Sequence, residues 1–220
     1  MTKGKSTDNT CQNWYLQKLG ERSVKALINN DFDAHFFSSC KDAADFILKE
    51  VSGFETFGFG GSITARVLGL VDELEARGKT VFDHWKKNLS SEEDLELRLK
   101  QGRCDCFICS ANAIAATGEI INIDGAGNRT SAMTFGPRKV VIVAGINKVA
   151  ADLDSAIKRA MEVAAPIRAK SLGVDTPCAE TGKCSDCNSP SRICRVVTIL
   201  HRRPMMTDIT VVLINETLGY

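Results

Sequence analysis

The sequence predicts an α/β fold: a largely parallel central sheet flanked by helices, with a cysteine-rich loop near the C-terminal end. Three observations carry this. Short strand-like runs alternate with amphipathic helical stretches, the pattern of βαβ units. The run 139–144 is almost continuously apolar, as suits a strand buried on both faces of a parallel sheet. A glycine-rich turn, Gly58-Phe59-Gly60-Gly61-Ser62, hands a strand over to a helix. In order, residues 11–30 place Leu16, Leu19, Val24, Leu27 and Ile28 at helical spacing. Residues 33–37 read as a strand. Ser39 caps a helix to about residue 51, with Ala43, Ala44, Ile47 and Leu48 along one side. A strand over 54–59 leads through the glycine turn into a helix over 63–77, stopped by Gly78. A strand at 80–82 precedes a helix to about residue 100, opened by Ser90-Ser91-Glu92-Glu93. Strands follow at 103–109, 119–123 and 139–144, then a helix over 152–165 ended near Pro166. Strands at 196–200 and 210–214 close the chain. The whole of 1–220 reads as one domain, with 171–195 as a cysteine-rich loop.

Composition narrows the function classes. The 220 residues carry 28 basic and 27 acidic side chains, a net charge of +1, so no global field attracts nucleic acid or an acidic membrane. Aromatic residues are only 6%, too few for a base-stacking platform. The longest apolar run, 140–146, falls far short of the roughly 20 residues a bilayer span requires. The opening ten residues are polar and lack an apolar signal core, so a cytoplasmic protein is expected.

Nine cysteines are the anomaly. An odd count in a reducing compartment argues against a disulfide framework. Cys178, Cys184, Cys187 and Cys194 have the spacing C-x5-C-x2-C-x6-C within a loop rich in Gly, Pro, Ser and Asn. Four thiolates on such a loop can wrap one soft metal centre, either an iron–sulfur cluster, with 4Fe–4S favoured, or zinc. The compact lobe and Pro177 beside Cys178 favour the cluster; four unligated thiols are the bland alternative. Cys104, Cys106 and Cys109 lie on a predicted strand, Cys104 and Cys106 facing one way and Cys109 the other. They read as small packing residues.

Two loops are candidates for ligand chemistry. At Gly60, Gly61, Ser62 and Thr64 the backbone can approach a ligand closely, and free N–H groups favour an anion; the alternative is a tight turn capped by Ser62. The second segment, 110–129, gathers Asn112, Glu119, Asp124, Asn128 and Arg129 between apolar strands. Glu119 or Asp124 is a candidate base or nucleophile, and Arg129 a clamp for carboxylate or phosphate; turn chemistry with a structural Arg–Asp pair is the alternative. His35, His84 and His201 are isolated and suggest no triad.

The segments Gly60-Gly61-Ser62-Ile63-Thr64, Thr117-Gly118-Glu119, Asp124–Arg129, Phe135-Gly136-Pro137-Arg138-Lys139 and Gly145-Ile146-Asn147-Lys148-Val149 resemble the LUD-domain family, named for lactate utilization. The tail from Thr176-Pro177-Cys178 to Cys194 is similar to a stand-alone subgroup of that family. The resemblance implies a fold similar to the sugar-phosphate isomerase and CoA-transferase superfamily, with the glycine-rich turn at the ligand site. It also implies a role near oxidation of L-lactate, beside iron–sulfur partner proteins of a lactate-oxidising complex. The expected function is thus a redox component in 2-hydroxy acid utilization. The alternatives are an enzyme or sensor that binds a CoA ester or sugar phosphate, its cysteine lobe structural, or a non-catalytic assembly subunit.

Overall fold

The computed structural model describes residues 5–220, with side chains from Thr10 onward; residues 1–4 of the opening segment read above lie outside the described residues. The chain runs α1 (Lys5–Asn29), β1 (Asp33–Phe37), α2 (Cys40–Glu50), β2 (Thr56–Phe59), α3 (Ile63–Val67), α4 (Leu70–Ala76), β3 (Thr80–Asp83) and α5 (Ser91–Gln101). Then come β4 (Cys106–Cys109), β5 (Ala113–Ala115), β6 (Ile120–Asp124), α6 (Asn128–Thr134), β7 (Lys139–Gly145) and β8 (Val149–Ala150). Last are α7 (Leu153–Arg159), α8 (Ala165–Leu172), α9 (Pro177–Thr181), β9 (Val196–Leu200) and β10 (Asp208–Ile214). Capping follows the sequence signals. Ser39 accepts from the Asp42 N–H, and Ser90 with Glu93 forms a reciprocal capping box at α5.

Six strands form one all-parallel sheet in the order β1-β10-β7-β4-β2-β3. β7 lies between β10 and β4 with every residue buried, which explains its unbroken apolar run. One face packs Ile47, Phe57, Phe59, Cys106, Ile108 and Val141 beneath α2 to α4. The other packs Phe107, Cys109, Val140 and Ile142 against Leu27 of α1 and Met133 of α6. Each fully buried Phe or Ile contributes about 1.5–3 kcal/mol relative to exposure. Cys104 precedes β4 and shares a core with Cys109, while Cys106 packs on the opposite face. The expected pairing of Cys104 with Cys106 therefore fails, because strand alternation starts only at Cys106.

Sequence periodicity missed a second sheet, β8-β5-β6-β9, whose β5–β6 and β6–β9 pairs are antiparallel. Its strands β5 and β8 span only three and two residues, too short to show a period. Ile114, Ile120 and Leu200 of this sheet join the same core as Phe107 and Val140, so the two sheets share one interior. Gly69 at φ 67° divides the predicted 63–77 helix into α3 and α4.

The helix expected to end near Pro166 instead continues to Leu172. Residues Ala160–Ala164 wind as a single π-helical turn between α7 and α8. Pro166 then falls in the first turn of α8, where a missing N–H is tolerated. This continuation carries Arg168 into the site described next.

Candidate functional site

Parallel strands deliver their following loops to one edge, and ligands in open α/β sheets bind there. Segments following β2, β3, β4 and β7 line a cavity of about 460 Å³, closed further by α6, α8 and the residues after β10. Gly61, Ser62, Thr64, Asn112, Asp124, Asn128 and Arg129 all line it. The two separate loops singled out in the sequence thus line one cavity. Gly60 sits just behind: a Cβ there would lie 3.0 Å from the Cys109 Cβ and 3.2 Å from the Phe107 ring. Gly61 differs, since a Cβ would point at Trp85 Nε1 (3.3 Å) and His84 Nε2 (3.6 Å) on the cavity side.

Asp124 and Glu119 part company. Asp124 accepts hydrogen bonds from the backbone N–H groups of Gly125, Arg129 and Thr130, so its carboxylate anchors the start of α6. Glu119 lies in the β5–β6 turn, accepts from the Thr117 hydroxyl at 2.5 Å, and is not part of the cavity wall. Arg129 donates through Nη2 to Asn112 Oδ1 at 2.9 Å, and Asn112 Oδ1 also accepts from the Ile123 N–H. The structural Arg–Asp side-chain pair of the alternative reading is replaced by a bond from the Arg129 backbone to Asp124 and from its side chain to Asn112. Arg98 donates to Asn128 Oδ1 at 3.1 Å and to Asp94 at 2.7 Å. Buried Gln101 ties Asn128, the Phe59 and Phe82 carbonyls and His84 Nδ1 into one cross-link.

Several lining residues were not singled out in the sequence as site candidates. His84, read as isolated, follows β3 directly and faces the cavity. Burial, then the nearby Arg98 charge, depresses its basicity. Trp85 carries Arg66 at 4.1 Å and Arg168 at 5.1 Å from its ring centre, a cation–π stack. Arg66 is pinned at 2.6 Å to Asp83; burial opposes that carboxyl's charge, but bonds from Arg66 and the Trp85 N–H outweigh it and hold its pKa low. Lys148, just after β7, is only 4% exposed, and its Nζ meets Ser110 Oγ at 2.8 Å and Thr64 Oγ1 at 3.2 Å. A lysine following a buried parallel strand was the available clue. Arg168 was hidden by the misplaced helix end.

The charge balance is one-sided. Arg98, Arg129, Lys148 and Arg168 line the cavity against one carboxylate side chain, Asp124. Among the described residues, the side chains of Arg129, Lys148 and Arg168 form no ion pair, and the acceptors of those side chains are neutral. Such a cavity suits an anion with at least one carboxylate or phosphate.

The cysteine lobe is built differently. All nine cysteines are free, and no residue from 177 to 195 is buried. Arg192 donates to the carbonyls of Cys187 (2.8 Å) and Cys194 (3.0 Å), and Thr176 Oγ1 lies 3.4 Å from Cys178 Sγ. Among the described residues, no three His, Cys, Asp or Glu side chains are arranged to hold a metal ion, so Cys178, Cys184, Cys187 and Cys194 do not form a ligand set as placed. The lobe adjoins the cleft through Ile193, which lines the cavity, and through the Arg195 N–H, which bonds to the Asp124 carbonyl. Cys104 and Cys109 are buried and their thiols pushed up to about 12, consistent with packing rather than ligation. No helix among the described residues is long and apolar enough to cross a membrane.

The LUD domain family model matches residues 20–214. A crystal structure of a DUF162 family protein from Deinococcus radiodurans is similar over 90% of this chain and 98% of its own, at 13% identity and TM-score 0.54. Ribose 5-phosphate isomerase from Plasmodium falciparum overlaps 50% of this chain and 52% of its own at 19% identity and TM-score 0.30, too little to carry an argument. No curated protein matches the chain.

Proposed function

Since the chain belongs to the LUD-domain family, a group associated with lactate utilization, we propose that its cationic cleft binds a 2-hydroxy acid or the matching 2-oxo acid. The observation that supports this is the set of three cations, Arg129, Lys148 and Arg168, that face the cavity without an ion-pair partner among the described residues. A guanidinium grips a carboxylate through two parallel hydrogen bonds, and the hydroxyl of Ser62, whose oxygen accepts from the Ala65 N–H, has its hydrogen to offer the 2-oxygen. Asn112 holds Arg129 in place and Asn128 holds Arg98. Asp124 spends its acceptors on backbone N–H groups and serves as an anchor. Calorimetry or thermal shift with lactate, pyruvate, CoA esters and phosphosugars tests the reading. A response to the small acids that is lost in Arg168→Met supports it; no response to either acid sinks it.

A second reading is favoured by size. A cavity of about 460 Å³ is larger than a three-carbon acid fills, leaving room for a CoA ester or sugar phosphate. A response confined to those ligands would select it.

We also propose a metal centre in the cysteine lobe, an iron–sulfur cluster of the 4Fe–4S type or zinc, on the strength of the four-cysteine spacing. The residues as placed do not fit such a group, so the lobe would have to close around it. With a cluster bound, the protein would serve as a redox component beside iron–sulfur partner proteins. Metal and sulfide content after anaerobic purification distinguishes cluster, zinc and unligated thiols.

A further inference from the structure

We propose that Lys148 is a nucleophilic amine that forms an imine with the carbonyl carbon of a 2-oxo acid held in the cleft, an inference that rests on the small-acid reading above. The hydrogen-bond arithmetic at Nζ carries it. Its two polar contacts are the hydroxyls of Ser110 and Thr64. Each hydroxyl directs its own hydrogen elsewhere, Ser110 to the Ala111 carbonyl at 3.3 Å and Thr64 to the Leu218 carbonyl at 3.5 Å. Both therefore accept from Nζ. A neutral amine has two hydrogens and one lone pair, so both hydrogens are matched and the lone pair is left for the cavity that Lys148 lines.

The surroundings agree with a neutral amine. Burial, then the positive charges of Arg159 on α7 and Arg129 on α6, lower its pKa to about 7, with Cys109 on β4 acting in the opposite sense. A lysine in that range holds a substantial fraction of free base at neutral pH, the form that attacks carbonyls. The acid's carboxylate would pair with Arg129 or Arg168, leaving its carbonyl for Nζ. The Nζ lone pair forms a C–N bond to the carbonyl carbon, and the oxygen takes up a proton. The resulting carbinolamine then breaks its C–O bond as the nitrogen lone pair forms C=N, and the oxygen leaves as water with the two hydrogens that Nζ has given up, the proton taken up in the first step being one of them. Ser110 and Thr64 stand beside Nζ to pass those protons. No oxidant is consumed.

Pyruvate or 2-oxobutyrate with cyanoborohydride, followed by peptide mass mapping of the wild-type chain, tests this without any variant. The expected result is a reduced adduct on the peptide bearing Lys148, absent with lactate, which has no carbonyl. The trapping rate should rise as pH passes upward through 7. Lys148→Met should lose the adduct while still unfolding cooperatively. Calorimetric binding of either acid with no adduct on Lys148, or with adducts only on exposed lysines such as Lys158, overturns the amine's role and leaves the cleft reading intact. No binding of the acids, with or without carbonyl, overturns the cleft reading and this inference together.

Discussion

The cleft and the cysteine lobe lie side by side and are opposites in construction. The cleft draws its lining from the ends of parallel strands, locked by buried Gln101 and the Asn112–Arg129 bond. The lobe, 177–195, buries no residue and is held mainly by Arg192 and Arg195 gripping backbone carbonyls. Order in the cleft comes from the hydrophobic sheet beneath it. Order in the lobe has little apolar burial behind it and must come from local hydrogen bonds or a bound metal. Dense sequence motifs and rigid sites are therefore not the same thing: the most conspicuous spacing lies in a segment that buries no residue.

The sharpest way to break this contrast is through two neighbouring glycines. Gly60→Leu should disrupt the fold, since its Cβ meets the Cys109 Cβ at 3.0 Å and the Phe107 ring at 3.2 Å, and overpacking a core typically costs about 1–3 kcal/mol or more. Gly61→Leu should abolish ligand response with the melting transition preserved, because its side chain enters the cavity beside Trp85 and His84. If Gly61→Leu binds normally, the cavity is not the site.

Next in size is the stability of Lys148→Met against pH. The buried lysine's pKa is lowered from 10.5 to about 7, so the unfolded chain binds more protons between those values. Its cost to folding is full below pH 7 and shrinks as pH rises toward 10.5, by about 1.4 kcal/mol per unit. Denaturation of both proteins from pH 6 to 10 should show Lys148→Met with its greatest advantage at the acid end. A pH-independent difference would mean Lys148 is charged in the fold.

Arg168→Met should weaken small-acid binding by about 10- to 100-fold, the loss of a charge-assisted hydrogen bond, with little change in stability, since among the described residues its side chain donates one hydrogen bond, to exposed Ser171, and Met keeps an apolar contact with the Trp85 ring. Smallest in the fold is the effect of Cys184→Ser with Cys187→Ser. Melting of the sheet should shift by no more than about 0.5 kcal/mol, as surface changes do. Bound metal, if present in the parent, should fall. Full metal content retained by the double variant would show that other ligands hold it.

Some of this was legible in the residues. Alternation of strand and helix gave the parallel sheet, and β1 and β9 match their predicted spans because each is a discrete run of strand-forming residues. Gly61, Ser62, Thr64, Asn112 and Arg129 could be found because glycine and polar side chains between apolar strands mark the loop edge of such a sheet. Glu119 looked equivalent to Asp124 in sequence, yet one lies in a hairpin turn and the other in the cavity wall. Pro166 hid the continuation of its helix, since a π-helical turn is set by packing rather than by composition.

By itself, then, the sequence determined the local terms: helix caps, strand propensity, the glycine turn, the cysteine spacing and the family's motifs. Only the tertiary structure decided which charges meet. Arg98, Arg129, Lys148 and Arg168 are separated along the chain and become neighbours of one cavity through parallel crossovers. Lys148 becomes an unusual base for the same reason. Burial and the charges of Arg129 and Arg159, the first 19 residues away in sequence and the second 11, act on it through space, and no local pattern encodes that field.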